Sequence, residues 1–298
     1  GFNPQTTGSF FQLGIGLGGT IYLGGLRSDA MPTVHRLYSI GADGNNQQLI
    51  NDNVSPANGD YYLNQIYVQS YEQVKPDPVY FANDYGNHRV QTFDKDWNYL
   101  YSIGSHVVGD GQINKASDVD VDSDNEVYVA DSGNCRIQVF DTELNFLRKF
   151  GKCGMEEGEM QDPEYIAFRN NEIWITDRGQ NTAYDNKSFI HVFNRKTGQF
   201  IKRFGIAPKS GSKVLMKYLQ KNPLRDKMEL MIEAASELCV NDGLCVIDPT
   251  SGQGTKILTA FKNNSYFFDS ESLARFDFDS EGNISGPIFV GGYYVPQY

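Results

Sequence analysis

The chain has 298 residues, of which 40% are hydrophobic, 21% charged and 13% aromatic, which at ~150 residues per domain leaves room for one large domain or two ordinary ones. Its 19 Phe, 18 Tyr and 2 Trp demand burial and exclude a disordered chain, and no window approaches the ~18 uncharged apolar residues of a membrane-spanning helix. A formal net charge of -11 repels phosphate backbones, so nucleic acid is not an expected partner.

The chain opens on an apolar run broken by glycines (Phe10, Phe11, Leu13, Ile15, Leu17), without the basic start of a signal peptide. Gly14-Ile-Gly-Leu-Gly-Gly is not followed by a helix and a dinucleotide-binding acid, so its glycines read as a bent strand and not as a phosphate cradle. Thr20-Ile-Tyr-Leu-Gly-Gly and His35-Arg-Leu-Tyr-Ser-Ile then read as strands of a first unit.

From Val79 onward a pattern repeats. Phe93, Phe140 and Phe193 fall in register, 47 and then 53 residues apart, with the longer step explained by an insertion around Asn181 to Ser188. In each unit an alternating strand ends in Asp (Asp84, Asp131, Asp177) and a Gly-containing turn follows. A second alternating strand ends in Phe-Asp or Phe-Asn, and a third closes on Gly (Gly104, Gly151, Gly205). One more short run precedes each, such as Asp118-Val-Asp-Val-Asp or Tyr165-Ile-Ala-Phe. The pattern predicts four antiparallel strands per unit.

Further on, Val214, Leu215, Tyr218 and Leu219 lie at helical spacing before Pro223, which predicts a short helical embellishment near 209-227. Glu237-Leu-Cys-Val-Asn-Asp-Gly-Leu-Cys-Val-Ile-Asp reads as a degenerate fifth unit. A two-residue turn on Asp242 and Gly243 would set Cys239 opposite Val246 and Cys245 opposite Val240, with the thiols on opposite sides. Ala260-Phe-Lys-Asn-Asn-Ser-Tyr-Phe-Phe-Asp echoes Ala167-Phe-Arg-Asn-Asn-Glu-Ile-Trp-Ile-Thr-Asp and reads as a sixth.

The stretch from Ser117 to Gly151 resembles the NHL repeat, and the resemblance runs over Val79 to Gly205. It implies an all-β, six-bladed β-propeller of four-stranded blades, because such units bury both faces only by packing radially on one another. The expected blades are 9-54, 60-104, 113-151, 161-205, 206-252 and 253-298, in a single domain over 1-298, closed by strands from 9 to 17 and 284 to 291. The resemblance does not imply one activity, since similar folds include RNA-binding domains, lyases, hydrolases and extracellular sensors.

In a propeller whose first strand is innermost, the turn between second and third strands shares one face with the link to the next blade. That face would carry Asp84, Tyr85, Asn87, His88 and Arg89, then Asp131, Asn134 and Arg136, then Asp177 and Arg178, and Asp242. These are the candidate ligand-binding residues, although an Asp that ends a strand before a Gly turn equally serves the turn itself. Cys135, in such a turn, and Cys153, in the following link, share this face and are the candidate disulfide; Cys239 and Cys245 are not expected to bond to each other.

No Ser nucleophile elbow, phosphate loop or CxxC zinc pattern occurs. Of four histidines, His88 and His191 occupy repeat positions, and His35 and His106 have no repeat-based explanation. The metal-ligand pattern of the amidating lyases, which resemble this chain in repeat type, does not map onto it. No cofactor is expected. Calcium is the ion that the carboxylate runs Asp118, Asp120, Asp122, Asp124 and Asp277 onward would take, yet both read as turns, and Ile288 stands where a calcium loop beginning at Asp277 needs Glu.

Aromatics crowd the second unit (Tyr61, Tyr62, Tyr67, Tyr71, Tyr80, Tyr85, Trp97, Tyr99, Tyr101) beyond what an inward face consumes, and exposed Tyr favours protein or glycan contacts. The expectation is therefore a non-catalytic scaffold binding a protein or glycan ligand on one propeller face, in an extracellular or cell-envelope location favoured by many Tyr, Asn and Gly, low Lys and the absence of an initiator Met. The alternatives are a metal-dependent hydrolase or lyase with its site at the central channel, and a carbohydrate-binding module.

Overall fold

A computed structural model describes residues 80–94, 98–179 and 188–205 with their side chains, together with Gln48, and elsewhere the backbone of the strands named below. The first sheet holds β1 (Phe10–Ile15), β2 (Ile21–Arg27), β3 (Val34–Ile40) and β4 (Gln48–Asn51). The second holds β5 (Ile66–Tyr71), β6 (Val79–Asp84), β7 (Arg89–Phe93) and β8 (Tyr99–Ile103). In the third are β9 (Ala116–Val121), β10 (Val127–Asp131), β11 (Arg136–Phe140) and β12 (Phe146–Phe150). The fourth comprises β13 (Pro163–Arg169), β14 (Glu172–Asp177), β15 (Ser188–Asn194) and β16 (Phe200–Ile206). β17 (Met216–Lys221), β18 (Met228–Ile232), β19 (Gly243–Ile247) and β20 (Gly254–Thr259) form another four-stranded sheet, and β21 (Leu273–Phe278) pairs with β22 (Ile284–Val290).

Every described pairing of these strands is antiparallel between sequence neighbours. First strands neighbour one another in chain order, β1 with β5, β5 with β9, β9 with β13, β13 with β17 and β17 with β21; β21 and β22 both lie against β1. This is the arrangement of a propeller, in which sheets stand radially around an axis.

The third sheet shows why the sequence folds this way. Tyr128 and Ala130 of β10 pack on one side with Ile137, Val139 and Phe150, against Ile166, Ile173, Ile175 and Phe193 of the fourth sheet. Val127 and Val129, the alternate residues, pack on the other side with Val119 and Phe140, against Phe81 and Val90 of the second. Strand alternation thus feeds two cores at once, and a sheet with both faces apolar needs a neighbour on each. Phe93, Phe140 and Phe193 are all buried, as their common register predicts. Polar rungs also join the inner strands: Asn83 Nδ2 donates to Ala116 O (3.0 Å) and Ser117 O (2.8 Å), and Asp118 Oδ2 accepts from Ile166 N at 2.8 Å.

Three expectations are corrected. The helix near 209-227 is replaced by strand β17 over Met216–Lys221; a short apolar run fits either period, and the sheet's need for a first strand decides it. The tight hairpin at Asp242 and Gly243 does not form the ladder expected, because β19 is flanked by β18 on one edge (Leu230↔Cys245) and β20 on the other. β20 also carries the fifth sheet to Thr259, beyond the boundary at 252. Asp242, Cys239 and the echo at 260–269 lie outside the described residues, as does most of the turn from Asp277 onward.

Candidate binding face on the turn side of the propeller

The three Asp-ended strands place their carboxylates alike. Asp131 is fully buried and accepts from Asn134 Nδ2 (2.9 Å), Arg136 Nε (2.7 Å), Gln138 Nε2 (3.0 Å) and the backbone N–H of Asn114 (2.7 Å). Arg136 then carries its Nη2 to the carbonyls of Gly109 (2.8 Å) and Gln112 (3.0 Å) in the incoming link. Asp84 receives Asn87 Nδ2 (2.9 Å) and Arg89 Nε (2.8 Å). Asp177 accepts from the backbone N–H groups of Gln161 (3.0 Å), Asp162 (2.8 Å) and Gly179 (3.1 Å), and His191 Nε2 stands 3.2 Å away where the other repeats have Gln. Burial pushes the Asp177 carboxyl up, and the His191 ring and the link N–H groups outweigh it, leaving the group below its ordinary value. Asp131, Asp177, Asn134 and Arg136 therefore hold turn to link, Asp131, Asp177 and Arg136 out of reach of solvent, while Asp84 and Asn87 brace their own turn.

What remains to meet a ligand is a smaller group. Arg178 donates from Nε (3.0 Å) and Nη2 (2.7 Å) to Asp162 Oδ2, and its Nη1 lies 3.1 Å from Glu164 Oε1. Tyr85, from the second sheet's turn, sits near enough to this fourth-sheet trio to feel it: burial first, then Asp162, raise its hydroxyl above the ordinary value. Lys115 Nζ lies 5.8 Å from the centroid of the Tyr85 ring, within cation–π reach. The His88 ring stacks on His106 with centroids 3.9 Å apart, and His88 Nδ1 accepts the Lys115 N–H at 3.0 Å. Burial, with His106 and Lys115 close by, holds His88 below its usual value, so the ring is neutral and its Nδ1 is free of a proton.

Tyr85, His88 and Arg178 are thus brought to one place, joined by Lys115, His106, Asp162 and Glu164, which sequence reasoning missed. His106 carried a signal, being a histidine without a repeat position; Lys115 and Asp162 come from links, where the repeat pattern falls silent, and Glu164 from the start of β13. The group offers a phenol, an ammonium, a clamped guanidinium and stacked imidazoles. Burial disfavours the charged guanidinium, but Glu164 and Asp162 outweigh that and raise Arg178; with Tyr85 also raised, both keep their protons at neutral pH. That suits recognition better than proton transfer.

The NHL repeat model matches residues 114–140. Solved structures similar to the chain include the hydrazine synthase of Kuenenia stuttgartiensis (TM-score 0.62, 13% identity, 95% of this chain and 75% of that one). A gluconolactonase from Xanthomonas campestris aligns with TM-score 0.60 at 13% identity over 96% and 84% of the two chains. The virginiamycin B lyase of Staphylococcus aureus gives 0.57 at 14% over 87% and 73%. The chain carries an NHL repeat on a propeller fold. At these identities the likeness is one of fold; no curated protein matches the sequence.

Two further features frame the face of this NHL-repeat propeller. Cys135 and Cys153 are disulfide-bonded, with Cα atoms 4.9 Å apart, tying the third sheet's turn to its outgoing link. On the opposite side, the carboxylates considered for calcium meet cations: Arg195 Nη1 contacts Asp122 and lies 2.9 Å from Asp124, and Lys196 Nζ lies 2.7 Å from Asp124 and 2.9 Å from Glu126. Arg148 Nη2 completes the network 2.6 Å from Glu126, and the Arg148 hydrogen bond is the main reason the Glu126 carboxyl is held at about 2. Among the described residues no three His, Cys, Asp or Glu are grouped as a metal site. Of the crowded aromatics, Tyr80 is buried and Tyr99 exposed; Tyr61, Tyr62 and Trp97 lie outside the described residues.

Proposed function

We propose that the chain is a single-domain, six-bladed NHL propeller that acts as a non-catalytic binding scaffold, holding a protein or glycan ligand at the turn-side mouth of its channel. The observation that carries this reading is the convergence of Tyr85, Lys115 and Arg178, from the turns and links of three successive sheets, on the turn side. Six blades are supported by the sequence of first-strand neighbours from β1 to β21 and back to β1. An extracytoplasmic location is supported by the Cys135–Cys153 disulfide, a bond that persists in oxidising compartments. Nucleic acid does not fit a chain of net charge -11.

The test is an unbiased capture experiment with the folded propeller and two variants, Tyr85→Ala with Lys115→Ala, and Lys196→Ala on the opposite side. The reading expects a specific partner or glycan retained by the wild type and Lys196→Ala and lost from the double variant. Equal capture by all three would overturn it. A divalent ion that co-purifies and is held by three or more side chains at the channel mouth would favour the metal-dependent hydrolase or lyase instead.

A further inference from the structure

Two link loops on the turn side, 105–112 and 152–161, flank the same turn of the third sheet, and each exposes aliphatic side chains. Val108 is 73% exposed and Val107 43%, while Met155 in the second loop is 47% exposed. Exposed aliphatics on ordinary loops need no explanation, but these loops are fixed. Asn134 Nδ2 donates to Val107 O (3.2 Å) and Arg136 to Gly109 O (2.8 Å), while Gly111 N donates to Gln138 Oε1 (3.0 Å) and His106 N to Ile113 O (3.1 Å). The second loop is held by the bond from Cys153 to Cys135 and closed by Met160 N to Lys152 O (2.9 Å). Arg203 Nη1 donates to Met155 O (2.5 Å) and Glu156 O (3.2 Å), the carbonyls of the loop's tip. The turn from Ser132 to Arg136 thus holds one loop through Asn134 and Arg136 and the other through Cys135.

We propose that Val107, Val108 and Met155, with Glu156 and Glu157, form a docking surface for a protein segment whose apolar side chains are flanked by Lys or Arg. Aliphatic groups held in place ahead of binding lower the ordering cost of association. The occupant's charge follows from its surroundings. Glu156 and Glu157 are exposed beside Met155, whereas the nearby cations are engaged: Lys152 lies 2.8 Å from Glu159, Lys149 pairs with Asp110, and Arg203 is held by the Met155 and Glu156 carbonyls and over the Phe189 ring. The open charge next to the aliphatics is therefore negative, matching a cationic partner in a chain of net charge -11. A glycan would call for an aromatic platform, and this patch is aliphatic.

The surface uses other residues than the channel mouth, so the two readings fail separately. The probe is a short synthetic peptide of alternating Leu and Lys, with a Leu-Glu peptide as its counterpart, titrated by fluorescence anisotropy. Expected is saturable binding of the Leu-Lys peptide alone, weakened at least ~10-fold, equal to about 1.4 kcal/mol, by the charge-preserving pair Val108→Ser with Met155→Ser. Glu156→Gln with Glu157→Gln should weaken it several-fold and flatten its salt dependence, and Tyr85→Ala should leave it unchanged. Undiminished binding to the serine variant, or no preference for Lys over Glu, would overturn the proposal.

Discussion

Gly104 and Gly151 close the second and third repeats with φ of +117° and +83°, and a Cβ there would approach His88 O to 2.2 Å and Met160 Cε to 2.2 Å. Gly205 holds the same repeat position, yet the nearest atom to a Cβ is Phe189 Cε1 at 3.6 Å. Gly104→Ala should therefore cost about 1–3 kcal/mol or more, since backbone strain and a backbone clash add, while Gly205→Ala stays within about 0.5 kcal/mol. Urea titration of the two variants checks this. Phe140, buried between the second and third sheets, should cost about 3–5 kcal/mol when cut to Ala, and a loss near zero would mean that the two sheets do not share that core.

At the scale of elements, turns and links are stitched together by charge and by sulfur. Cys135→Ser with Cys153→Ser opens a loop of sequence separation 18, and the chain-entropy model expects a loss of about 3 kcal/mol, read from the urea midpoint. On the other side, Glu126 falls from an ordinary 4.5 to about 2 through Arg148. A depressed carboxyl stabilises fully above the unfolded value and loses that contribution as pH falls through the folded one. Stability should therefore decline from pH 4.5 toward 2, and Glu126→Gln should flatten that limb; an unchanged acid limb would show that the network between third and fourth sheets carries no such linkage.

The same scale explains what the sequence made legible. Strands from β6 to β16 were readable because their alternation, their terminal Asp and their shared Phe repeat three times over, and repetition separates a fold rule from an accident. β17 was not, since Met216 to Lys221 carries an apolar spacing compatible with helix, and only pairing with β18 fixes it. The turn aspartates were legible as positions and as acceptors for their own turns, but not as ties to the links: the link N–H groups that Asp131 and Asp177 receive belong to contacts between distant segments. Lys115, His106 and Asp162 lie in links whose length and composition differ between repeats, and Glu164 at the start of β13, so no internal copy pointed to them. The Cys135 and Cys153 pair was legible as a candidate, because antiparallel strands return turn and link to one face, but the loop geometry that brings the sulfurs together is set by the fold.

For the whole molecule, one side is knit by ion pairs between turns and the other presents a phenol, cations, stacked imidazoles and fixed aliphatic loops, so a ligand should meet the turn side. Hydrogen–deuterium exchange of the propeller with and without its captured partner measures this most directly. Protection on binding is expected in 85–89, 105–115, 152–164 and 177–179, with the opposite turns at 122–126, 141–145 and 194–199 unchanged. Protection confined to those opposite turns, with the turn side exchanging as in the free protein, would contradict the assignment of the binding face.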